Sequence, residues 1–236
     1  MQVASTRGRI HRFSYKQNSK EIRLIIKCIP GGIFIENCYI IGDEDTNEAM
    51  LVDPGEQIAE ISEEIEKSGL EVKKIVNTHT HLDHVAGVEA FKKMLGIPFY
   101  IHEKEQPVLD LLPEAKMRFP GFDFVEVPEV DGYVKEGETL SVGNLRGEIL
   151  LVPGHTWGHI CFVFGKSIIA GDTVFAGSVG RVDLTGGTSM TELVGSIRSE
   201  ILQYPDHYEI HPGHGPQTTV GIEKRTNPFL VGTFAL

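Results

Sequence analysis

Four side chains of the types that bind metal ions lie within six residues: His79, His81, Asp83 and His84. They follow a predicted strand, Val72–Val76, and an extended backbone places the first two imidazoles on one side. The other two fall where a helix is predicted to begin, so a tight turn can bring them back to the same point. A helix N-cap would explain the aspartate but not three neighbouring histidines. The segment therefore predicts a metal site.

Three further residues of ligand type have the same setting, in a glycine-containing loop after a predicted strand. His155 follows Pro-Gly, Asp172 lies in Gly-Asp-Thr, and His214 lies in Pro-Gly-His-Gly. Each segment alone is a common turn, but together with the first motif they supply seven ligands. Two metal ions about 3.5–4 Å apart need such an inventory, including one carboxylate that can bridge. Nitrogen and oxygen ligands without thiolate suit zinc, iron or manganese.

The elements that must position these residues are read from hydrophobic periodicity and turn signals. The predicted strands are Ile22–Ile29, Phe34–Ile41, Ala49–Val52, Val72–Val76, Phe99–Ile101, Glu148–Val152, Ile160–Phe164, Ser167–Ala170 and Tyr208–Ile210. Helical patterns cover residues 58–69, 88–96, 104–112 and 191–203. Runs of strands interrupted by single helices predict an α/β fold of two packed mixed sheets with helices on the outer faces.

Composition limits the classes of partner. The chain has 236 residues, with 22 Lys and Arg against 33 Asp and Glu, and a formal net charge of −11. This acidic balance, without a basic block, argues against a nucleic-acid or anionic-membrane partner. The longest apolar run, Ile160–Phe164, is far shorter than the ~18 residues of a membrane span. A small-molecule substrate is therefore expected, and the sequence leaves the oligomeric state open.

The N-terminal segment differs in composition from the rest. Residues 1–20 contain five Lys and Arg and no acid, without the apolar stretch of a secretory signal. We interpret them as a polar, basic extension before a single domain spanning residues 21–236. Three cysteines without C-x-x-C spacing suggest reduced thiols and a cytoplasmic protein. A mitochondrial location is the alternative, if the extension is a transit peptide.

The ligand motifs resemble the metal-binding signature of the metallo-β-lactamase superfamily. The resemblance covers about 37–228 and implies an αβ/βα sandwich with two metal ions at one edge. It assigns His79, His81 and His155 to one ion and Asp83, His84 and His214 to the other, with Asp172 bridging them. Asp53, in Val-Asp-Pro-Gly, matches a position beside the site, where it would support the ligands without binding metal.

Within the superfamily, the chain resembles glyoxalase II, the hydroxyacylglutathione hydrolases. The similarity lies in Glu-Asn-Cys-Tyr at 36–39, in Thr-His-Thr-His-Leu-Asp-His, and in the segment from Gly171 to Arg181. Arg181 lies where these enzymes carry a basic residue that contacts a glutathione carboxylate. Only about twenty residues follow His214, so the chain lacks the C-terminal helical domain of the larger enzymes and is similar to the short bacterial branch.

The resemblance implies a dinuclear hydrolase that cleaves a thioester such as S-lactoylglutathione. A hydroxide bridging two ions, most simply zinc, would attack the carbonyl, with Asp83 and Asp172 as the catalytic carboxylates. The alternative is a mononuclear iron persulfide dioxygenase that uses His79, His155 and Asp172. Lactone, phosphoester or RNA hydrolysis on the same scaffold is a further alternative. A count of metal ions per chain separates the hydrolase from the oxygenase.

Overall fold

The computed structural model describes residues 10–17, 20–119, 121–122 and 125–232. Two β-sheets face each other, and the helices cover their outer faces. The first sheet has seven strands in chain order: β1 (Ile10–Gln17), β2 (Lys20–Gly31), β3 (Glu36–Asp43), β4 (Glu48–Val52), β5 (Glu71–Val76), β6 (Phe99–His102) and β7 (Gly132–Val134). Strands β1 to β4 pair antiparallel, whereas β4 to β7 pair parallel.

The second sheet is also mixed. Its members, in chain order, are β8 (Thr139–Val142), β9 (Leu145–Leu151), β10 (Ile160–Phe164), β11 (Ser167–Gly171), β14 (Glu209–Pro212) and β15 (Thr218–Thr219). They lie in the order β15-β14-β11-β10-β9-β8, and β11 pairs parallel with β14. A separate two-stranded hairpin joins β12 (Val174–Phe175) to β13 (Ser178–Val179).

The helices connect the strands on the outside of the sandwich. They are α1 (Ile58–Ser68), α2 (Leu82–Val85), α3 (Val88–Leu95), α4 (Gln106–Asp110), α5 (Leu112–Arg118), α6 (Met190–Ser196) and α7 (Val220–Thr226). A 3₁₀ turn at Glu103–Glu105 precedes α4, and a π-helical turn at Ile197–Ile201 continues α6. Among the described residues, no helix combines the length and apolar character needed to span a membrane.

Three apolar cores hold these layers together. The central core packs the sheets face to face and includes Ile26 and Ile41 from the first sheet and Phe162 from the second. A second core lies under α1 and α3, and a third lies under α6 and α7. Each sheet is therefore buried on both faces, as its nearly continuous apolar strands require. The two-sheet sandwich predicted from the sequence is confirmed.

The N-terminal segment, predicted as an extension, contributes a strand to this sandwich. Ile10–Gln17 pairs with β2 over eight residues, so the first sheet begins well before residue 21. Residues 1–9 and 18–19 lie outside the described residues, as do 233–236. The short alternation of polar and aromatic residues over 12–15 was the available signal, and the long edge of β2 supplies the hydrogen-bonding partner.

The predicted helix over 104–112 is divided in two. The first part, α4, ends at Asp110, and α5 begins again at Leu112 and continues to Arg118. Pro113 lies in the first turn of α5, where its missing N–H costs no helical hydrogen bond. This break places α5 beside the ligand loops, a position that periodicity alone does not predict.

Candidate metal centre

All seven ligand-type residues lie at one edge of the sandwich, where several strands end. The loop after β5 carries His79 and His81, and Asp172 directly follows β11. Backbone hydrogen bonds join these loops: the Ile160 N–H donates to the Thr78 carbonyl at 2.9 Å between the sheets, and the Gly213 N–H donates to the Gly171 carbonyl at 2.7 Å within the second sheet. The site is therefore assembled by the meeting of strand ends from both sheets.

The first ligand group consists of three histidines: His79, His81 and His155. Their candidate ligand atoms lie within 4.8 Å of one another. His155 Nε2 lies 2.9 Å from His81 Nδ1 and 3.3 Å from His79 Nε2. Three imidazole nitrogens that converge on one point have the geometry of a metal-binding face.

The second group, Asp83, His84 and His214, has the same compactness. His214 Nε2 lies 3.3 Å from an Asp83 carboxylate oxygen. Asp172 lies between the two groups: one of its oxygens is 3.6 Å from His155 Nε2 and 3.4 Å from His214 Nε2, and the other is 3.5 Å from His84 Nε2. This carboxylate faces both groups, as a bridging ligand would.

Backbone carbonyl groups orient three of the histidines. The His155 Nδ1–H donates to the Arg181 carbonyl at 2.6 Å, and the His214 Nδ1–H donates to the Phe34 carbonyl at 3.1 Å. His81 is turned the other way, and its Nε2–H donates to the Thr185 carbonyl at 2.8 Å. A carbonyl only accepts, so each ring donates through one nitrogen and turns its second nitrogen toward the cluster.

Asp53 orients the remaining two histidines. Its carboxylate accepts the Thr78 hydroxyl at 2.6 Å and faces His84 Nδ1 at 3.1 Å. Because the Thr78 hydroxyl donates its hydrogen bond to Asp53, the hydroxyl oxygen can accept one from the His79 Nδ1–H, 3.1 Å away. Asp53 also belongs to a compact group with His79 and His84. Its two carboxylate oxygens are already hydrogen-bonded to Thr78 or face His84. The role of Asp53 as a supporting carboxylate stays a prediction.

The electrostatics of the cluster fit divalent cations. Burial lowers the pKa of His79 well below its usual range and that of His155 to about 4, so both rings are neutral. Burial also disfavours ionised Asp172, but the neighbouring His84 outweighs it and holds the carboxyl pKa well below its usual range. His84 Nε2 and one Asp172 oxygen are buried without a hydrogen-bond partner. A metal ion bound here would coordinate this buried imidazole nitrogen and this buried carboxylate oxygen, and would so satisfy both.

Glycines let the backbone approach Asp172 from two sides. A Cβ atom on Gly180 would lie 1.9 Å from the Asp172 carbonyl oxygen, and one on Gly213 would lie 2.1 Å from its carboxylate. A larger residue at Gly180 would displace the Asp172 backbone, and one at Gly213 would displace its carboxylate. His159, read from the sequence as structural, accepts the Asp172 N–H through Nε2 at 3.0 Å. The candidate bridging residue is thus held by its backbone as well as its neighbours.

Sequence reasoning missed Glu105, which joins the two loops of the first ligand group. This buried carboxylate accepts the Thr80 N–H at 2.9 Å, the Thr80 hydroxyl at 3.0 Å and the Gly158 N–H at 2.9 Å. Thr80 lies between two ligand histidines, and Gly158 lies three residues after His155. No motif marks Glu105 in the sequence, because its partners are 25 and 53 residues away.

Replacing Glu105 by alanine should weaken metal binding by about 10- to 100-fold, as loss of a group that supports ligands typically does. The buried Thr80 and Gly158 N–H groups would lose their acceptor, and the two loops would separate. Competition with a chromophoric chelator measures the affinity. Glu103→Ala, in the same turn but exposed, is the matched control. Wild-type affinity in folded Glu105→Ala would contradict this role.

Five of the seven candidate ligands line a cavity of about 560 Å³: His81, Asp83, His155, Asp172 and His214. Its wall includes Arg181, the predicted substrate-binding residue. The Arg181 side chain is exposed and makes a bidentate ion pair with Asp183, with both N–O distances 2.7 Å. The guanidinium therefore lies at the cavity, but the Asp183 carboxylate already binds it. Its backbone carbonyl, which holds His155, was not anticipated.

Comparison with known proteins agrees with this arrangement. Residues 31–219 match the family model of the metallo-β-lactamase superfamily. Hydroxyacylglutathione hydrolase GloC of Haemophilus influenzae is 37% identical over 214 residues, covering 87% of this chain and 97% of that protein. Because the match covers nearly the whole of that relative, it supports a metal-dependent hydrolase at the level of the family.

Solved structures show the same fold. The BLEG-1 B3 metallo-β-lactamase superposes with a TM-score of 0.80 at 32% identity, covering 88% of this chain and all of that one. TTHA1623, solved in a di-iron-bound form, gives a TM-score of 0.76 at 33% identity, covering 86% of this chain and 99% of that one. The match of sequence, fold and ligand geometry shows that the chain belongs to the metallo-β-lactamase superfamily.

Proposed function

We propose that the protein is a dinuclear metal-dependent hydrolase that cleaves thioesters, with S-lactoylglutathione as the model substrate. The observation that carries this proposal is the position of Asp172, whose carboxylate faces two complete ligand groups under an open cavity. The similarity to a hydroxyacylglutathione hydrolase over almost its full length supports the thioester as the substrate class.

The residues at the site would have two roles: some would hold the ions, and others would position the reactants. His79, His81 and His155 would hold one ion, and Asp83, His84 and His214 the other, with Asp172 shared. Two such ions supply Lewis acidity to a substrate carbonyl and lower the pKa of water. Asp83 lines the cavity, so its carboxylate can orient the attacking water. A protein nucleophile is therefore not needed.

The completeness of the second ligand group favours hydrolysis over the oxygenase alternative. A mononuclear iron site on His79, His155 and Asp172 would leave Asp83, His84 and His214 without a ligand role. These three converge as closely as the first group does. Zinc is the proposed native metal, and iron is the main competitor, since TTHA1623 was solved with two irons.

The three free cysteines agree with a cytoplasmic location.

The test is the hydrolysis of S-lactoylglutathione by purified protein saturated in turn with zinc, iron and manganese. We expect two ions per chain and a kcat/KM of about 10⁴ M⁻¹s⁻¹ or more with the native metal, as for ordinary enzymes. One iron per chain, with oxygen consumption on glutathione persulfide and no thioester cleavage, would contradict the proposal.

A β-lactam is the second substrate to assay, because BLEG-1 is described as a B3 metallo-β-lactamase and superposes with a TM-score of 0.80. Both reactions need attack of water on a carbonyl carbon, which the same ligand set would serve. A kcat/KM for a chromogenic cephalosporin above that for the thioester would reverse the order of the two functions.

A further inference from the structure

The wall of the cavity above the metal ligands is mainly apolar. It is formed by Leu82, Val108, Leu112, Phe119, Phe175 and Leu184, among others. A volume of about 560 Å³ lies in the range of pockets that bury ligands of drug size. A two- or three-carbon acyl group would leave most of this apolar surface in contact with water, which is unfavourable.

One helix, α5, provides a continuous side of this wall. Ala115 lines the cavity, Arg118 follows it by three residues on the same helical face, and Phe119, directly after the helix, also lines the cavity. Phe119 meets the Phe34 ring edge to face at 5.7 Å. The Phe34 carbonyl in turn accepts from His214. The apolar wall therefore begins at a metal ligand and extends along α5 to Arg118.

The two arginines of the cavity differ in their availability. Arg181 is engaged by Asp183 through two hydrogen bonds, so its charge is neutralised locally. Arg118 is exposed in the last turn of α5 and, throughout the described part of the chain, has no hydrogen bond or ion pair. A planar guanidinium with all its donors available can bind a carboxylate or phosphate group in bidentate fashion.

We propose that the cavity selects amphipathic thioesters, in which a linear apolar chain lies along α5 and an anionic group at its end binds Arg118. This inference rests on the proposed thioesterase function and specifies its substrate class. It assigns anion recognition to Arg118 instead of Arg181. Short, uncharged thioesters would leave both the apolar wall and the guanidinium unused.

Uncleavable thioethers separate recognition from chemistry. 6-(Ethylthio)hexanoate carries five methylene groups between its sulfur and a terminal carboxylate, and its primary amide is the neutral match. Their dissociation constants are measured by calorimetry on the zinc-loaded protein. We expect the carboxylate to bind about tenfold more tightly than the amide, and also about tenfold more tightly than 3-(ethylthio)propanoate, whose chain is three methylene groups shorter.

Arg118→Gln should abolish the preference for the carboxylate and leave binding of the amide unchanged. Arg225→Gln, on α7 and away from the cavity, is the matched control. Persistence of the carboxylate preference in Arg118→Gln would overturn the proposal, since the carboxylate would then bind the metal or another group. A larger loss in Arg181→Gln than in Arg118→Gln would also overturn it.

Hydrolysis of the mono-S-ethyl thioester of heptanedioic acid, whose acyl chain ends in a free carboxylate, tests the reaction separately with the same proteins. If the thioethers bind as expected but no thioester is cleaved, the proposed reaction is wrong and the recognition site stands. If the thioester is cleaved equally by wild type and Arg118→Gln, the reaction stands and the recognition site is wrong.

Discussion

Asp172→Ala should lower kcat/KM for thioester hydrolysis by about 10³-fold or more and reduce the metal content below two ions per chain. The Asp172 carboxylate faces both ligand groups, at 3.4–3.6 Å from three histidine nitrogens. Without it, two cations would lie next to each other with less negative charge between them. Loss of several kcal/mol of stabilisation by one ion corresponds to about three powers of ten in rate.

The control for this variant is Asp206→Ala, which removes an exposed carboxylate that pairs with Lys224 and Arg225 on α7. Circular dichroism and thermal melts of both variants show whether the fold persists. Asp172→Asn keeps the shape but removes the charge, so it should bind metal more weakly than wild type. Wild-type turnover in folded Asp172→Ala would exclude this residue from the mechanism.

The ligand set could be predicted from the sequence because the ligands are ordered by strand ends. His79 and His81 follow a buried strand, as does Asp172, and such positions meet at one edge of an α/β sandwich. Short-range signals also located helix ends: Gly69 closes α1 in the left-handed conformation, with φ of 67°. These features depend on residues near one another in the chain.

The support of the site could not be predicted because it depends on contacts between distant residues. Glu105 joins loops that are 25 and 53 residues away, and the Phe34 carbonyl orients a histidine 180 residues away. The availability of Arg118 and the pairing of Arg181 with Asp183 are also properties of packing, since the sequence favoured Arg181 as the anion site. Local patterns therefore predicted the candidate ligands, while the folded chain was needed to describe the cavity.

Removal of the metal should reduce hydrolysis to the background rate, and added zinc should restore it. Among the described residues that line the cavity, no side chain could supply the Lewis acidity assigned to the ions. Binding also stabilises the folded state, by about 4 kcal/mol for each ion supplied at a thousand times its Kd. Dialysis against a chelator, followed by titration with zinc, iron or manganese, measures both effects. Full activity in protein shown to be metal-free would contradict the proposed function.

The two ions should also differ in their dependence on pH. Although burial disfavours its charged form, the carboxylates of Asp172 and Asp83 raise the pKa of His84 well above its usual range, and their hydrogen bonds raise that of His214 to about 10. In metal-free protein near neutral pH, both rings hold protons that an incoming ion must displace. Affinity for this ion therefore falls as pH falls, by about tenfold per pH unit for each displaced proton.

The first ligand group has the opposite electrostatics, so its ion should remain bound on acidification from pH 8 to pH 6. His79 and His155 are neutral there because burial lowers their pKa values, that of His155 to about 4. Metal content measured after equilibration at each pH should fall from two ions to one before it falls further, and activity should follow the second ion. Simultaneous loss of both ions, or tighter binding of the second at lower pH, would contradict the assignment of two unlike sites.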